Sequence, residues 1–224
     1  MKADKRIALI AGATGLTGGH LLHLLLTDTR YTHVTALVRR ASLATNRKLT
    51  ELAVDFDHHS ALSAAYDVFC CLGTTIRKAG SQAAFRKVDF DYVVNLAAAA
   101  KRAGCTRFLV VSAIGANAKS AVFYTRVKGE MENALRETGF DALHIFQPSL
   151  LTGDRPELRA GEKLGITAFS AMVPLMLGPM KKYRPIAAET VARAMVKAAW
   201  LESRGMLGGA REFSGAVFLQ MRRL

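Results

Sequence analysis

Tyr124 and Lys128 stand four residues apart, and residues four apart share one face of an α-helix. A tyrosine alone loses its proton near pH 10. A nearby ammonium favours the phenolate and lowers that value, so such a tyrosine can exchange a proton with a carbonyl or alcohol oxygen at neutral pH. Ser112 lies 12 residues before the tyrosine, at the end of an apolar run, where a hydroxyl can hold a substrate oxygen. Reduction or oxidation at that carbon also needs a partner that moves hydride.

The run RIALIAGATGLTGG, residues 6–19, supplies a place. Ile7 to Ala11 is almost wholly apolar and reads as a strand buried on both faces. Gly12, Gly15 and Gly18 follow at three-residue spacing, and Leu16 to Leu26 has the apolar density of a buried helix. A strand, a glycine turn and a helix start converge free N–H groups on a phosphate. One glycine permits the tight turn, one lets the backbone approach the pyrophosphate and one lets the helix pack on the strand. The spacing GxxGxxG departs from the usual GxGxxG. The second strand, His33 to Val38, ends in Arg39 and Arg40. An NAD-binding chain places an acid about 20 residues after the turn, for the ribose hydroxyls. A guanidinium there suits a phosphate instead. Arg39, with Arg40 as second candidate, therefore points to the 2'-phosphate of NADP(H).

The remaining elements must carry Ser112 and the Tyr124 helix to that turn. Strands are predicted at Leu49 to Phe56, Tyr66 to Leu72, Arg107 to Ser112 and Ala142 to Phe146. Asp55, at the end of the first of these, can accept from the adenine amine or cap the next helix; the residues leave both open. Gly73, Thr74 and Thr75 follow the second, and small residues let a ribose and phosphate lie across the backbone. A long helix from Ser81 to about Gly104 carries Phe85, Val88, Val93, Val94 and Leu96 as its apolar stripe. Asn95 lies in that helix, where it could reach the top of the sheet or face the core. A helix from about Ala121 to Thr138 holds Tyr124 and Lys128. This alternation predicts an α/β fold, a doubly wound and mostly parallel sheet with helices on both faces. Ligands then collect beyond the carboxyl ends of the strands. After Ser149 the pattern loosens. Residues 152–161 read as a loop, Leu164 to Leu177 as an apolar segment bent at Pro174, Arg184 to Ile186 as extended, and Glu189 to Leu201 as an amphipathic helix. A small strand is expected at Glu212 to Gly215. Residues 1–224 thus form one domain, with about 149–185 and 203–224 as a small substrate-side lobe.

Composition agrees with a single large α/β domain: 224 residues, half of them hydrophobic. Three cysteines give no disulfide framework, and the histidines show no metal-ligand spacing. The formal charge of +13 is spread in pairs such as Lys101-Arg102 and Lys181-Lys182, with no basic-aromatic pattern. It reads as a solvated surface with attraction for an anionic cofactor, not as a nucleic-acid interface. Five apolar residues follow MKADKR, too few for a signal-peptide core, and no apolar stretch reaches a membrane span. These features lead to the expectation of a cytoplasmic protein.

Several stretches together carry a family resemblance: GATGLTG at 12–18, VRR at 38–40, CCLGTT at 70–75, KAGS at 78–81, VDFDYV at 88–93, VSAIGA at 111–116, FYTRVKGEME at 123–132 and QPSLLTGDRPE at 147–157. The chain resembles the atypical or extended short-chain dehydrogenase/reductases along its whole length, and within them the group around a human Tat-interacting oxidoreductase. The resemblance implies NADP(H) held by Gly12, Thr14, Gly15, Leu16, Thr17 and Gly18 at the pyrophosphate and by Arg39 at the adenosine phosphate. It implies that Leu72, Gly73 and Thr74 lie along the cofactor, that Gln147 and Pro148 border the nicotinamide, and that Ser112, Tyr124 and Lys128 are catalytic. That group has a second serine where this chain has Ala113, so one substrate hydrogen bond is missing. The implied activity is hydride transfer between nicotinamide and a small carbonyl or alcohol substrate. The alternative is an NADP(H)-binding redox sensor or regulatory scaffold with little turnover and a regulatory protein partner. Monomer and homodimer are both compatible with the sequence.

Overall fold

β1 (Arg6–Ala11) lies at the middle of the molecule, and its side chains explain why both of its faces are covered. Successive residues of a strand point to opposite faces. Ala8 and Ile10 enter one core, and Leu9 and Ala11 enter the other. A computed structural model describes residues 6–40, 45–57, 62–153 and 183–202, together with a strand at 209–214. β2 (Tyr31–Val38), β3 (Leu49–Ala53), β4 (Asp67–Cys70), β5 (Arg107–Val111), β6 (Ala142–Gln147) and β9 (Gly209–Ser214) complete a seven-stranded sheet. Its order is β3-β2-β1-β4-β5-β6-β9, and every pairing is parallel. The doubly wound sheet expected from the sequence is therefore present. The chain leaves β1 toward β2 on one side and returns to β4 on the other. That reversal opens a crevice beyond the carboxyl ends of β1 and β4.

α1 (Leu16–Thr27) and α6 (Ala188–Glu202) cover one face. Leu21, Leu22 and Leu25 of α1 meet Val191 and Met195 of α6 over Ile10, Phe69 and Phe146. α4 (Tyr92–Arg102) and α5 (Phe123–Arg136) cover the other, through Val93, Leu96, Met131 and Leu135 over Leu9, Val68, Phe108 and Val110. The helix expected from Ser81 is built in pieces. After the single turn of α2 (Ile76–Ala79), Ser81 caps α3 (Gln82–Arg86) by accepting from the Ala84 amide, a π-helical turn spans Lys87–Asp91, and α4 continues from it. Its buried face runs through Phe85, Asp89, Val93 and Leu96, while Val88 is only half-buried and Asn95 is exposed. Asn95 thus reaches neither the sheet nor the core.

The C-terminal expectation needs correction. Residues 209–214 are not a small strand of a substrate lobe. They extend the main sheet alongside β6, from Ala142↔Gly209 to Gln147↔Ser214. The short strands β7 (Leu151–Thr152) and β8 (Ile186–Ala187) pair with each other, which places the expected extended piece at 184–186 slightly later. The loop beyond 153 and the apolar segment at 164–177 lie outside the described residues.

At the amino ends of the strands lies a buried polar cluster that no motif announces. The Tyr31 hydroxyl donates to Asp67 Oδ2 at 2.6 Å. Arg107 Nε lies 2.7 Å from Asp67 Oδ1, and Arg107 Nη1 donates to the Ala199 carbonyl at 3.1 Å. The ion pair ties β4 and β5 to the end of α6, far from the glycine turn. Burial pushes the Tyr31 phenol well above its ordinary 10, and the Asp67 charge adds to the effect. On β4, burial pushes the Cys70 thiol from 9.0 up to about 12. Above pH 9 the unfolded chain loses a cysteine proton that the folded chain keeps, so stability falls as pH rises. Cys70 alone contributes a slope of about 1.4 kcal/mol per pH unit from pH 9 to about 12. Urea unfolding at pH 8 to 11 should show this loss, and Cys70→Ala should lessen its slope by about 1.4 kcal/mol per pH unit, the Cys71 thiol, which burial also raises, keeping its own share. Equal slopes in the two proteins would refute the assignment.

Candidate functional site

Gly12 begins the site with φ at +82°, the left-handed region that glycine tolerates. A Cβ there would sit 2.5 Å from the Cys71 carbonyl oxygen. The turn is therefore pressed against the end of β4, where the Cys71 amide donates to the Ala11 carbonyl at 2.8 Å. A Cβ on Gly18 would sit 2.0 Å from the Gly12 carbonyl oxygen, so the first turn of α1 lies directly on the glycine turn. Gly15 occupies the N-cap position, and no side chain caps the helix start. First-turn amides left without a side-chain cap are the groups that hold an anion. Thr14 and Gly15 are exposed, Leu16 is half-buried and Thr17 is buried.

The other expected cofactor residues surround this turn at the carboxyl ends of neighbouring strands. Leu37 pairs with Ala11, so Arg39 and Arg40 emerge beside Gly12, and both are exposed. Asp55 follows β3 and accepts from the Asp57 amide at 2.9 Å. Leu72, Gly73 and Thr74 follow β4 on the other side of the crevice.

At Gly73 the crevice meets the tyrosine helix. A Cβ on Gly73 would lie 3.4 Å from Asp89 Oδ1 and 4.0 Å from Lys128 Nζ. Lys128 Nζ is 2.7 Å from Asp89 Oδ1, with side chains only 4% and 1% exposed. The Thr74 amide donates to Asp89 Oδ2 at 2.8 Å. Asp89 therefore holds both the lysine and the loop after β4. Tyr124, one turn before Lys128, packs its ring on Phe85 with centroids 5.4 Å apart.

The charges do not act as the sequence suggested. Burial pushes the Tyr124 phenol above its ordinary 10, Lys128 pulls it down and Asp89 pushes it up again. Lys128 was expected to dominate; burial and Asp89 together outweigh it. Burial would lower the Lys128 ammonium, but Asp89 and then Tyr124 raise it, and the net shift is upward.

Ser112 and Gln147 converge on a different group. The Ser112 hydroxyl donates to Glu132 Oε1 at 2.5 Å. Gln147 Nε2 lies 3.0 Å from both oxygens of the same carboxylate. Glu132 is one helical turn beyond Lys128 and is buried. The fold thus brings Tyr124, Lys128, Gly73 and Thr74 together, while Ser112 and Gln147 are tied to Glu132. Pro148 follows, and its carbonyl accepts from the Ile114 amide at 2.9 Å. Ala113, buried after Ser112, has no hydroxyl to offer. Gly129 sets the neighbouring loop in place: a Cβ there would meet the Ala118 nitrogen at 2.1 Å. Asp89 and Glu132 are the site residues that the motifs alone did not single out. Their only sequence signals were acids lying within VDFDYV and KGEME.

A family model described as NAD(P)H-binding matches residues 12–199. Protein HTATIP2 of Rattus norvegicus is 38% identical over 178 residues, 76% of this chain and 73% of its own. The chain belongs to the NAD(P)H-binding Rossmann family that includes HTATIP2. The expected kinship with the extended short-chain dehydrogenase/reductases therefore holds. The mitochondrial protein fmp52 of Emericella nidulans is 36% identical over 167 residues, 70% of this chain and 71% of its own. This relative overturns the expectation of a cytoplasmic protein. That expectation rested on segments the sequence lacks, and an absent segment does not place a protein. Among the described residues no helix is long and apolar enough to cross a membrane. The fold is shared with the Bordetella bronchiseptica enzyme WbmH, solved in complex with NAD+. The TM-score is 0.67 at 17% identity, covering 93% of this chain and 75% of that one.

Proposed function

We propose that this protein is an NADP(H)-dependent oxidoreductase acting on a small carbonyl or alcohol, with Tyr124 as the proton-exchanging group. The observation that carries this reading is the meeting of Tyr124, Lys128 and Asp89 with Gly73 and Thr74 beside the glycine turn. The uncapped start of α1 and the left-handed Gly12 fit a dinucleotide pyrophosphate. Gly12, Thr14, Gly15, Leu16, Thr17 and Gly18 would hold it, with Leu72, Gly73 and Thr74 alongside and Gln147 and Pro148 at the nicotinamide end. Bound there, the cofactor supplies or accepts hydride. Tyr124 exchanges the proton at the substrate oxygen, and Lys128 keeps a positive charge beside it.

Arg39 supports the choice of NADP(H). Its place beside Gly12 is where a guanidinium would meet a 2'-phosphate. A charge-assisted hydrogen bond is worth about 1.5–3 kcal/mol. Arg39→Ala should therefore weaken NADPH binding about tenfold to a hundredfold and leave NADH binding nearly unchanged, as read by nucleotide fluorescence titration. Parallel losses for both nucleotides, or none for either, would assign the arginine elsewhere. A second reading, a dinucleotide-binding sensor with little turnover, draws on the Ser112–Glu132 bond and on Ala113. These leave the substrate oxygen without the expected serine. Consumption of NADPH across aldehydes, ketones and quinones separates the readings.

A further inference from the structure

Asp89 is a buried carboxylate in a helix face otherwise made of Phe85, Val93, Leu96 and Ala97. An unpaired charge at such a position is costly, and removing one member of a buried pair exposes that cost. Here the acid has two partners and no more are needed to explain its place. One is Lys128 Nζ at 2.7 Å, and the other is the Thr74 amide at 2.8 Å. The π-helical turn at Lys87–Asp91 carries it between α3 and α4. π-turns within helices recur at functional sites. The carboxylate thus stands against the same ammonium that faces Tyr124.

We propose that Asp89 is a positioning residue that cancels the charge of Lys128 at Tyr124 and so sets this site for carbonyl reduction at neutral pH. The inference rests on the oxidoreductase reading and adds a direction to it. A reductase needs a proton on the tyrosine oxygen before the reaction; an alcohol dehydrogenase needs the phenolate. In reduction, hydride from the reduced nucleotide forms the C–H bond as the carbonyl π bond breaks. The O–H bond of Tyr124 breaks and its proton joins the substrate oxygen. The products are the alcohol, the oxidised nucleotide and a phenolate facing Lys128, which water reprotonates. An ammonium alone beside Tyr124 would favour the phenolate from the start. Asp89 opposes that effect through a pair that little water reaches.

The other groups around the phenol do not replace this balance. Cys70 lies near the pair from β4, and its thiol is held neutral by burial. Arg86 of α3 pairs with Glu130 of α5, so their charges offset each other. The Phe85 ring contributes no charge. Burial already favours the protonated phenol, and Lys128 and Asp89 are the two charges that then act on it in opposite directions.

The test uses the full chain without nucleotide, so it does not depend on turnover. Titration of ring-labelled tyrosine by 13C NMR, wild type minus Tyr124→Phe, isolates Tyr124 among the five tyrosines. The expected wild-type midpoint lies above pH 10. Asp89→Asn should move it down by about one pH unit or more, and Asp89→Glu should restore it. The double variant Asp89→Asn/Lys128→Met removes both charges and should return the midpoint to within about half a unit of wild type. With nucleotide present, Asp89→Asn should gain alcohol oxidation relative to carbonyl reduction at pH 7. A wild-type midpoint below pH 8 would overturn the proposal, as would identical midpoints in wild type and Asp89→Asn. If Asp89→Asn does not fold, Lys128→Met and the double variant decide it: the carboxylate should hold the midpoint higher in Lys128→Met, and equal midpoints in the two would overturn the proposal. Failure of the reductase reading would show separately, as absent NADPH consumption with the titration unchanged.

Discussion

Tyr124→Phe should lower NADPH-dependent carbonyl reduction by about a hundredfold to ten-thousandfold, the range that a positioned proton donor supplies. Nucleotide affinity should barely change. The ring packs on Phe85, and phenylalanine preserves that contact. The hydroxyl has no role in the Lys128–Asp89 pair or in the Thr74 bond, so the walls of the crevice keep their geometry. The loss therefore belongs to the proton and should appear in kcat rather than in nucleotide Kd. A parallel experiment with Ser112→Ala sharpens the result. Ser112 is bonded to Glu132, so its loss should act through the carboxylate that also holds Gln147. Stopped-flow NADPH oxidation and fluorescence titration on the same preparations provide both quantities. Full activity in Tyr124→Phe would remove the tyrosine from the mechanism and favour the sensor reading.

How much of this was legible in the sequence varies with the physical signal. The apolar runs at Ala8 to Ala11 and Phe108 to Val110 are buried on both faces, and such runs announce parallel strands without help from neighbours. Tyr124 and Lys128 were legible because helical periodicity alone places them together. Asp89 was not. An apolar stripe is read by collecting hydrophobic positions, and a carboxylate inside that stripe is passed over until its ammonium partner is seen across the helix interface. Ser112 shows a different limit. A strand end fixes where the residue is, but its hydroxyl can turn toward the crevice or toward a helix, and Glu132 lies 20 residues away in the chain. β9 carries Arg211 and Glu212 in a six-residue strand. Those charges interrupt the apolar pattern by which the other strands are read, and among the described residues β9 pairs only with β6.

Gly18→Ala should cost both stability and nucleotide binding, and the reason lies in one contact. The added methyl would sit 2.0 Å from the Gly12 carbonyl oxygen and 2.7 Å from its carbon. Neither atom belongs to a flexible side chain. Relief requires α1 to move away from the turn, or the turn to move away from β4. The second route is blocked, because Gly12 already abuts the Cys71 carbonyl. α1 must therefore shift, which disturbs Leu21, Leu22 and Leu25 against α6. Overpacking of this kind costs about 1–3 kcal/mol, measurable as a lower urea midpoint. The same shift carries the first-turn amides away from the anion they would hold. A charge-assisted hydrogen bond is worth about 1.5–3 kcal/mol, so losing one should lower NADPH affinity about tenfold to a hundredfold. Gly19→Ala is the matched control. Its methyl would find the Ala13 carbonyl oxygen at 3.7 Å, an ordinary contact on the same helix turn. Gly19→Ala should fold and bind as wild type does. If both variants bind NADPH normally, the glycine turn serves packing alone and the nucleotide lies elsewhere.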